Sequence, residues 1–569
     1  MNTALPLRVA LAGSGALQHV PEMLTAACAQ HGLATEWYLT PYEQGCQAIL
    51  DPRSGLYQFA PRLTFVMLDA ATVLSPLASA PARGRAAASR ARAAVRRILD
   101  LAQRIVQGTK GVVVLHTLEV PTASPLGILE TKQEFGWHAL IRTVNQRLIA
   151  DTRQIAGVFV FDFEGFLGRI GKEAAHDDRL YYLADMRLAP AVWQRLGQEY
   201  ARYALALAGR AKKCIVLDLD QTLWGGVVGE DGFEGIQLGA TAPGNAFVAF
   251  QRGLLALSER GMLLAINSRN NPDEALRVLR EHPAMVLREE RFAAIVINWD
   301  DKAQNLRRIA QELQLGLDSL LYLDDDPAQR WLVRRQLPQV TVVDLPDDPA
   351  HYARTLDTLV GLDALQLTAE DRRRAGDYAA GRRRREVRRR SDSMEEFLAQ
   401  LEVRVRLRPV DAFARPRVAQ LTQRTNQFNF TTERMSEDDV ARWAARPDHE
   451  LLVIEVADRF GDQGICGALG LVRGERAWDV VWWLLSCRVL GKGVEQAVLG
   501  ALVERAHGAG AQRLRCCYVP TEKNLPARKF LEQAGFARQD RGSSGSAAQT
   551  WTVAVTQAPA SPRYVAVSV

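Results

Sequence analysis

The chain has 569 residues, 47% hydrophobic and 24% charged, an ordinary globular composition with material for three or four domains of roughly 100–200 residues each. A formal net charge of +6, from 71 Lys and Arg against 65 Asp and Glu, gives no ground for a nucleic-acid partner, and no apolar run reaches the ~18 residues of a membrane helix. The seven cysteines (28, 46, 214, 466, 487, 516 and 517) fit neither a zinc site nor a disulfide framework. The N-terminus, MNTALPLRVALAGSG, lacks the basic and cleavable parts of a signal peptide. The expectation is a reducing, cytoplasmic compartment with no membrane contact.

In chain order, LRVALAG (7–13), LTFVMLD (63–69), GVVVLHTL (111–118) and VFVFDFEGF (158–166) are buried-strand patterns, with an Ala/Arg-rich helical stretch at 83–106. Continuous apolar strands alternating with helices indicate a parallel α/β sheet, here over 1–185. Residues 186–212 read as one amphipathic helix. The strands of KKCIVLDLDQTLWGG, LLAINS (263–268), AAIVIN (293–298) and SLLYLDDD (319–326) follow, all but AAIVIN ending on acidic or hydroxyl side chains. They define a second α/β domain at 205–360, and ligands of such sheets bind at the carboxyl ends of the strands. Residues 361–400 form a basic linker helix with RRRR at 382–385 and RRR at 388–390. VRVRL, ELLVIEVAD, GALGLVRG, WDVVWWLLSCRV and RLRCCYVP indicate an α+β domain with an antiparallel meander at 400–556. A Pro/Ala/Ser-rich tail, 557–569, reads as disordered.

Asp218 and Asp220 stand two apart at a strand end, where a pure strand puts both on one face. Two carboxylates this close ionise together only with a cation nearby, and Mg²⁺, which takes oxygen ligands, fits that need. Asp324 and Asp325 end another strand and supply further ligands. Thr222 and Ser268 are hydroxyls suited to phosphoryl oxygens, and Lys302 is a charge suited to neutralising them.

The order of these residues resembles the four motifs of the haloacid dehalogenase superfamily: DLDQT, Ser268 in LAINSRN, Lys302, and LDDDP. More narrowly, DLDQTLWGGVVGEDG, NSRN, NWDDKAQNL and LTQRTNQFNFTTERM resemble FkbH-like proteins, strongly over 180–545 and weakly before. The resemblance implies Asp218 as nucleophile and Asp220 as general acid/base. It implies a Mg²⁺ site of Asp218, the Asp220 carbonyl, and Asp324 or Asp325, with Thr222, Ser268 and Lys302 on the phosphoryl group. The chain departs from the family's usual residues at Gln221, Arg269 and Asp326. The family's activity implies a small phosphorylated substrate like 1,3-bisphosphoglycerate. The glyceryl group becomes an enzyme thioester and passes to an acyl carrier protein in polyketide or related biosynthesis.

That chemistry needs a thiol, and Cys487, in LLSCRVLGKGVE, stands at a strand–helix junction beside Arg488, where dipole and charge both favour thiolate. Arg488, Gly491 and Gly493 resemble the pyrophosphate loop of GCN5-related acetyltransferases and are read as an acyl or pantetheine site. Residues 1–180 resemble a degenerate SGNH-hydrolase-like domain, with Ser14 as candidate nucleophile and His176, followed by Asp177 and Asp178, as its partner, although the Gly-Asp-Ser pattern is absent. The arginines of 382–390 read as a solvated linker face or as a dock for an acidic carrier protein. The fold class is thus multidomain α/β, a Rossmann-like parallel-sheet domain between an SGNH-like domain and an acetyltransferase-like α+β domain. Two other functions stay open: a phosphomonoester phosphatase without acyl transfer, and a non-catalytic carrier-protein scaffold.

Overall fold

The computed structural model describes residues 6–74, 85–133, 136–366, 369–425, 427–486, 488–521, 524–539, 548–559 and 561–568. The chain divides into two compact units, Met1–Leu287 with Val296–Arg372, and Arg288–Ile295 with Arg373–Val569. No helix among the described residues is long and apolar enough to cross a membrane.

The first sheet is built from Leu7–Gly13 (β1), Thr35–Leu39 (β2), Leu63–Met67 (β3), Val112–His116 (β4) and Val158–Phe161 (β5), in the order β2-β1-β3-β4-β5. All its pairings are parallel. β1 and β3 are almost wholly buried, as strands covered by helices on both faces must be. The helix Val20–Ala29 starts with Pro21 in its first turn, where a missing N–H costs nothing. Of the expected helix over 186–212, Pro190–Leu207 is helical.

The second sheet has Cys214–Leu217 (β6), Leu263–Ser268 (β7), Phe292–Ile297 (β8), Leu320–Asp324 (β9) and Thr341–Asp344 (β10), in the order β10-β9-β6-β7-β8. β6 pairs parallel with both β7 and β9, so the ends of these three strands open side by side. Each is buried along its whole length.

The C-terminal sheet has eight strands: Val403–Pro409 (β11), His449–Asp458 (β12), Gly461–Arg473 (β13), Ala477–Leu485 (β14), Arg513–Tyr518 (β15), Ala537–Gln539 (β16), Gln549–Ala554 (β17) and Val565–Ser568 (β18). β11 to β14 form the expected antiparallel meander. β14 and β15 pair in parallel only over Ala477–Val480 and Arg513–Cys516. Beyond that, Phe428–Phe430 satisfies the parted backbones: Phe430 N donates to Trp483 O, Val519 N to Phe430 O and Leu485 N to Phe428 O. Buried peptide groups need such partners.

Two expectations are corrected. The tail is not disordered throughout, because Val565–Ser568 pairs in parallel with Val403–Arg406, burying Val565. Nor is the arginine cluster a purely solvated face. Arg382 is buried and pairs with Glu386. Arg384 makes two bonds, at 2.6 and 3.0 Å, to the fully buried carboxylate of Asp458. Arg388, Arg389 and Arg390 remain exposed. Removing one partner of a buried pair strands the other charge, so Arg384→Ala is expected to destabilise the C-terminal unit by about 3 kcal/mol. Arg389→Ala is expected to stay within about 0.5 kcal/mol of the parent. Thermal unfolding of the two variants measures the difference.

Candidate active site

β6 ends at Leu217 and Asp218 is the next residue; its N–H donates to Leu323 O at 3.0 Å, tying the ends of β6 and β9 together. β7 ends on Ser268 and β9 on Asp324. The helix Lys302–Leu313 begins beside them, capped by Asp301, whose carboxylate accepts from Ala303 N and Gln304 N. Asn267 of β7 fixes that helix start, its Nδ2 donating to Lys302 O at 2.9 Å. Lys302 is thereby buried, its Nζ 2.6 Å from Asp218 Oδ2 and 2.5 Å from Asp324 Oδ2.

Asp218, Asp324 and Asp325 each bring a carboxylate oxygen within 4.8 Å of the others. Asp324 is fully buried and accepts from the Tyr322 hydroxyl and, at 2.9 Å, from Asp326 N. Arg330 braces the same turn, donating to the carbonyls of Asp324 and Asp325 at 2.8 and 2.5 Å. Asp218 Oδ1 is buried without a hydrogen-bond partner. An orphaned anionic oxygen beside two more carboxylates is what a hard divalent cation satisfies, so these residues fit a magnesium ion.

The charges follow from burial and neighbours. Burial disfavours the Lys302 ammonium, but the two carboxylates outweigh it and hold its pKa above the ordinary lysine value. Burial raises Asp218, with Lys302 opposing and Asp324 adding to the rise. Asp325 is raised to about 6, by burial and then by the charges of Asp218 and Asp324.

Asp220 has partners other than those of Asp218. The strand stops at Leu217 and Gln221 takes a left-handed conformation, φ +54°, so the alternation of a strand no longer holds. Asp220 Oδ1 accepts from Trp224 Nε1 at 2.8 Å and Val228 N at 3.1 Å, and Oδ2 from Asn270 Nδ2 at 2.7 Å. Burial raises its pKa against the lowering effect of those donors. Thr222 is fully buried and its hydroxyl donates to Asp325 Oδ1 at 3.3 Å. Ser268 is buried at its strand end and adds a small lowering influence on Asp218. Asp326 caps the following helix through Ala328 N.

Asn270, Trp224, Tyr322 and Arg330 escaped the sequence reading. Asn270 stands in NSRN and Trp224 in DLDQTLWGG, both singled out as motifs, but nothing in a linear pattern shows that both side chains turn to Asp220.

Cys487 lies outside the described residues. Its neighbour Arg488 is exposed. Gly491 and Gly493 take φ of +74° and +80°, Gly493 preceding the helix Val494–Gly508. Gly491 N already donates to Glu495 Oε1 at 2.7 Å. In the first sheet, Ser14 Oγ bonds Thr72 Oγ1 at 3.0 Å. The partner of His176 is Glu119, at 2.7 Å, and not Asp177, which caps the next helix.

The N-terminal domain of FkbH matches residues 8–196. The N-terminal part of a Bacteroides fragilis protein, containing a phosphatase domain and solved complexed with Mg, is 30% identical. That alignment covers 64% of this chain and 95% of that one at a TM-score of 0.59. A putative acetyltransferase of the GNAT family from Desulfovibrio desulfuricans aligns over 27% of this chain and 99% of its own, at 16% identity and a TM-score of 0.21. A spermidine N-acetyltransferase from Vibrio cholerae, solved with CoA and spermine, aligns over 27% and 96%, at 12% and 0.22. Likenesses that faint carry no argument. No curated protein matches.

Sheet, carboxylates and buried lysine together define a phosphatase-type enzyme domain of the haloacid dehalogenase kind. The chain belongs to the FkbH family.

Because Asp325 holds its proton up to about pH 6 when folded, against 3.8 ordinarily, the metal-free fold loses stability as pH rises through that window. A divalent cation competes with the proton for the carboxylates. Added Mg²⁺ is therefore expected to raise the melting temperature clearly at pH 7.5 and hardly at pH 5, in melts with and without chelator.

Proposed function

We propose that this chain is a magnesium-dependent phosphohydrolase for a glycerate-type acyl phosphate, resembling 1,3-bisphosphoglycerate, that loads the acyl group through a Cys487 thioester onto an acyl carrier protein. The observation that carries the hydrolytic half is Asp218, with Oδ2 held by Lys302 and Oδ1 without a partner.

Asp218 attacks the phosphorus of the ester phosphate and leaves the acyl phosphate intact; the bond from that phosphorus to the ester oxygen breaks, and an aspartyl-phosphate forms. Asp220, raised by burial, gives a proton to the leaving oxygen and then takes one from the water that cleaves the aspartyl-phosphate. Lys302 and Ser268 meet the phosphoryl oxygens, while Thr222 holds Asp325. Asp218, the Asp220 carbonyl, Asp324 and Asp325 would hold a magnesium ion, which when bound would supply positive charge to the phosphoryl group. In the acyl half, the Cys487 thiolate attacks the acyl carbon of the mixed anhydride, the bond from that carbon to the phosphate oxygen breaks, and phosphate leaves. The carrier's thiol then takes the acyl group and frees Cys487. Arg488, Gly491 and Gly493 receive the carrier's pantetheine arm.

The second reading is a phosphomonoester phosphatase whose C-terminal unit only binds. It draws on the Phe428–Phe430 segment, which already occupies the backbone between the parted strands β14 and β15.

Asp218→Asn is expected to lower phosphate release by at least about a thousandfold. Asn270→Ala, which frees Asp220 Oδ2, is expected to lower kcat about tenfold with KM little changed and to shift the acidic limb of the pH profile. Intact-mass measurement after incubation with 1,3-bisphosphoglycerate and Mg²⁺ tests the acyl half. A glyceryl adduct on the parent and none on Cys487→Ala is the expected result. Phosphate release with no adduct on either favours the second reading.

A further inference from the structure

Three helices of the first unit turn faces of one spacing toward the same cavity. Phe166, Arg169 and Ile170 stand at i, i+3 and i+4 on the helix Phe163–Ile170. Arg195, Gln198, Glu199 and Arg202 keep that spacing, extended by three residues, on Pro190–Leu207. Arg354, Asp357 and Thr358 repeat it on Tyr352–Thr358. Residues three and four apart share a helix face. Together with Val360 they line a cavity of about 500 Å³, within the range of small-molecule sites. None of them belongs to the aspartate cluster, and neither the proposed hydrolysis nor the acyl transfer uses them.

Four arginines meet two carboxylates in this lining. Glu199 is taken, by Arg169 at 2.7 Å and Arg202 at 3.3 Å. Asp363 holds Arg202 as well, at 2.7 Å, and pairs with Arg260. Those last two partners lie outside the lining and offset each other, so the positive excess stands. Arg195 and Arg354, both exposed, have no ion pair, hydrogen bond or ring contact among the described residues. Asp357 accepts from Arg202 only through its backbone oxygen, so its carboxylate is the one unpaired anion against two unpaired guanidiniums.

A cavity with that balance repels a cation, and a neutral ligand leaves its charge unanswered. Each guanidinium is a planar fork of N–H donors that fits phosphate oxygens. A phosphomonoester brings close to two negative charges and three acceptor oxygens, whereas a monocarboxylate brings one charge and two oxygens. Phe166, with Ile170 and Val360 packed against the same core, supplies apolar surface, which a bare phosphate ion leaves uncovered. We propose that this cavity is a second ligand site that holds an organic phosphate, with Arg195 and Arg354 on the phosphoryl group and Phe166, Ile170 and Val360 against an apolar body.

Calorimetric titration of the full chain with phenyl phosphate tests this, in chelator at pH 7.5 and low salt. Without a divalent ion the three carboxylates of the aspartate cluster repel a phosphoryl group. Saturable binding is expected, weakening as salt is added. Benzyl alcohol, benzoate and inorganic phosphate are each expected to bind at least about tenfold more weakly. Arg195→Ala and Arg354→Ala are each expected to weaken phenyl phosphate about tenfold, as loss of one charge-assisted hydrogen bond does. Asp357→Asn is expected to tighten it. All three variants are expected to melt within about 2 °C of the parent, as exposed substitutions do. Asp218→Asn is expected to bind phenyl phosphate like the parent. Five results would each overturn the proposal: no saturable binding, binding undiminished in both arginine variants, benzoate or inorganic phosphate binding as tightly, weaker binding in Asp357→Asn, or loss of binding in Asp218→Asn. None depends on whether the aspartate cluster is catalytic.

Discussion

One ammonium group organises the second sheet. Lys302 Nζ sits between Asp218 and Asp324 at hydrogen-bond distance from both, and without it two buried carboxylates would lose their shared counter-charge. A cation at the first turn of a helix is opposed by the dipole, and burial opposes it again. It persists because the carboxylates repay both costs, and because Asn267 and Asp301 fix the helix start that delivers it. The arrangement leaves Asp218 Oδ1 without a protein partner, in place for the divalent cation that the three carboxylates fit.

Environment, not sequence distance, sets Asp218 and Asp220 apart. Asp218 meets an ammonium and two carboxylates. Asp220, two residues on, meets an indole N–H, a backbone N–H and an amide. Burial raises the pKa of both, opposed at Asp218 chiefly by Lys302 and at Asp220 by the donors of Val228, Trp224 and Asn270.

Much of this was legible in the sequence because buried parallel strands cannot hide: Leu263–Ser268 and Leu320–Asp324 are apolar without interruption, and a polar residue ending such a run must sit at the sheet's ligand edge. Ser268, Asp324 and Asp325 are found that way, and Lys302 by its order in the chain. What stayed hidden depends on closure of distant segments. The strand Thr341–Asp344 has only four residues and an exposed end. Val565–Ser568 is a strand only because Val403–Arg406 offers it an edge. Asn270 lies 50 residues from Asp220 along the chain, and Glu119 lies 57 from His176. Asp218 and Asp220 part company for a local reason, the end of the strand at Leu217: Lys302 joins Asp218 to Asp324, while Asp220 meets Trp224, Val228 and Asn270.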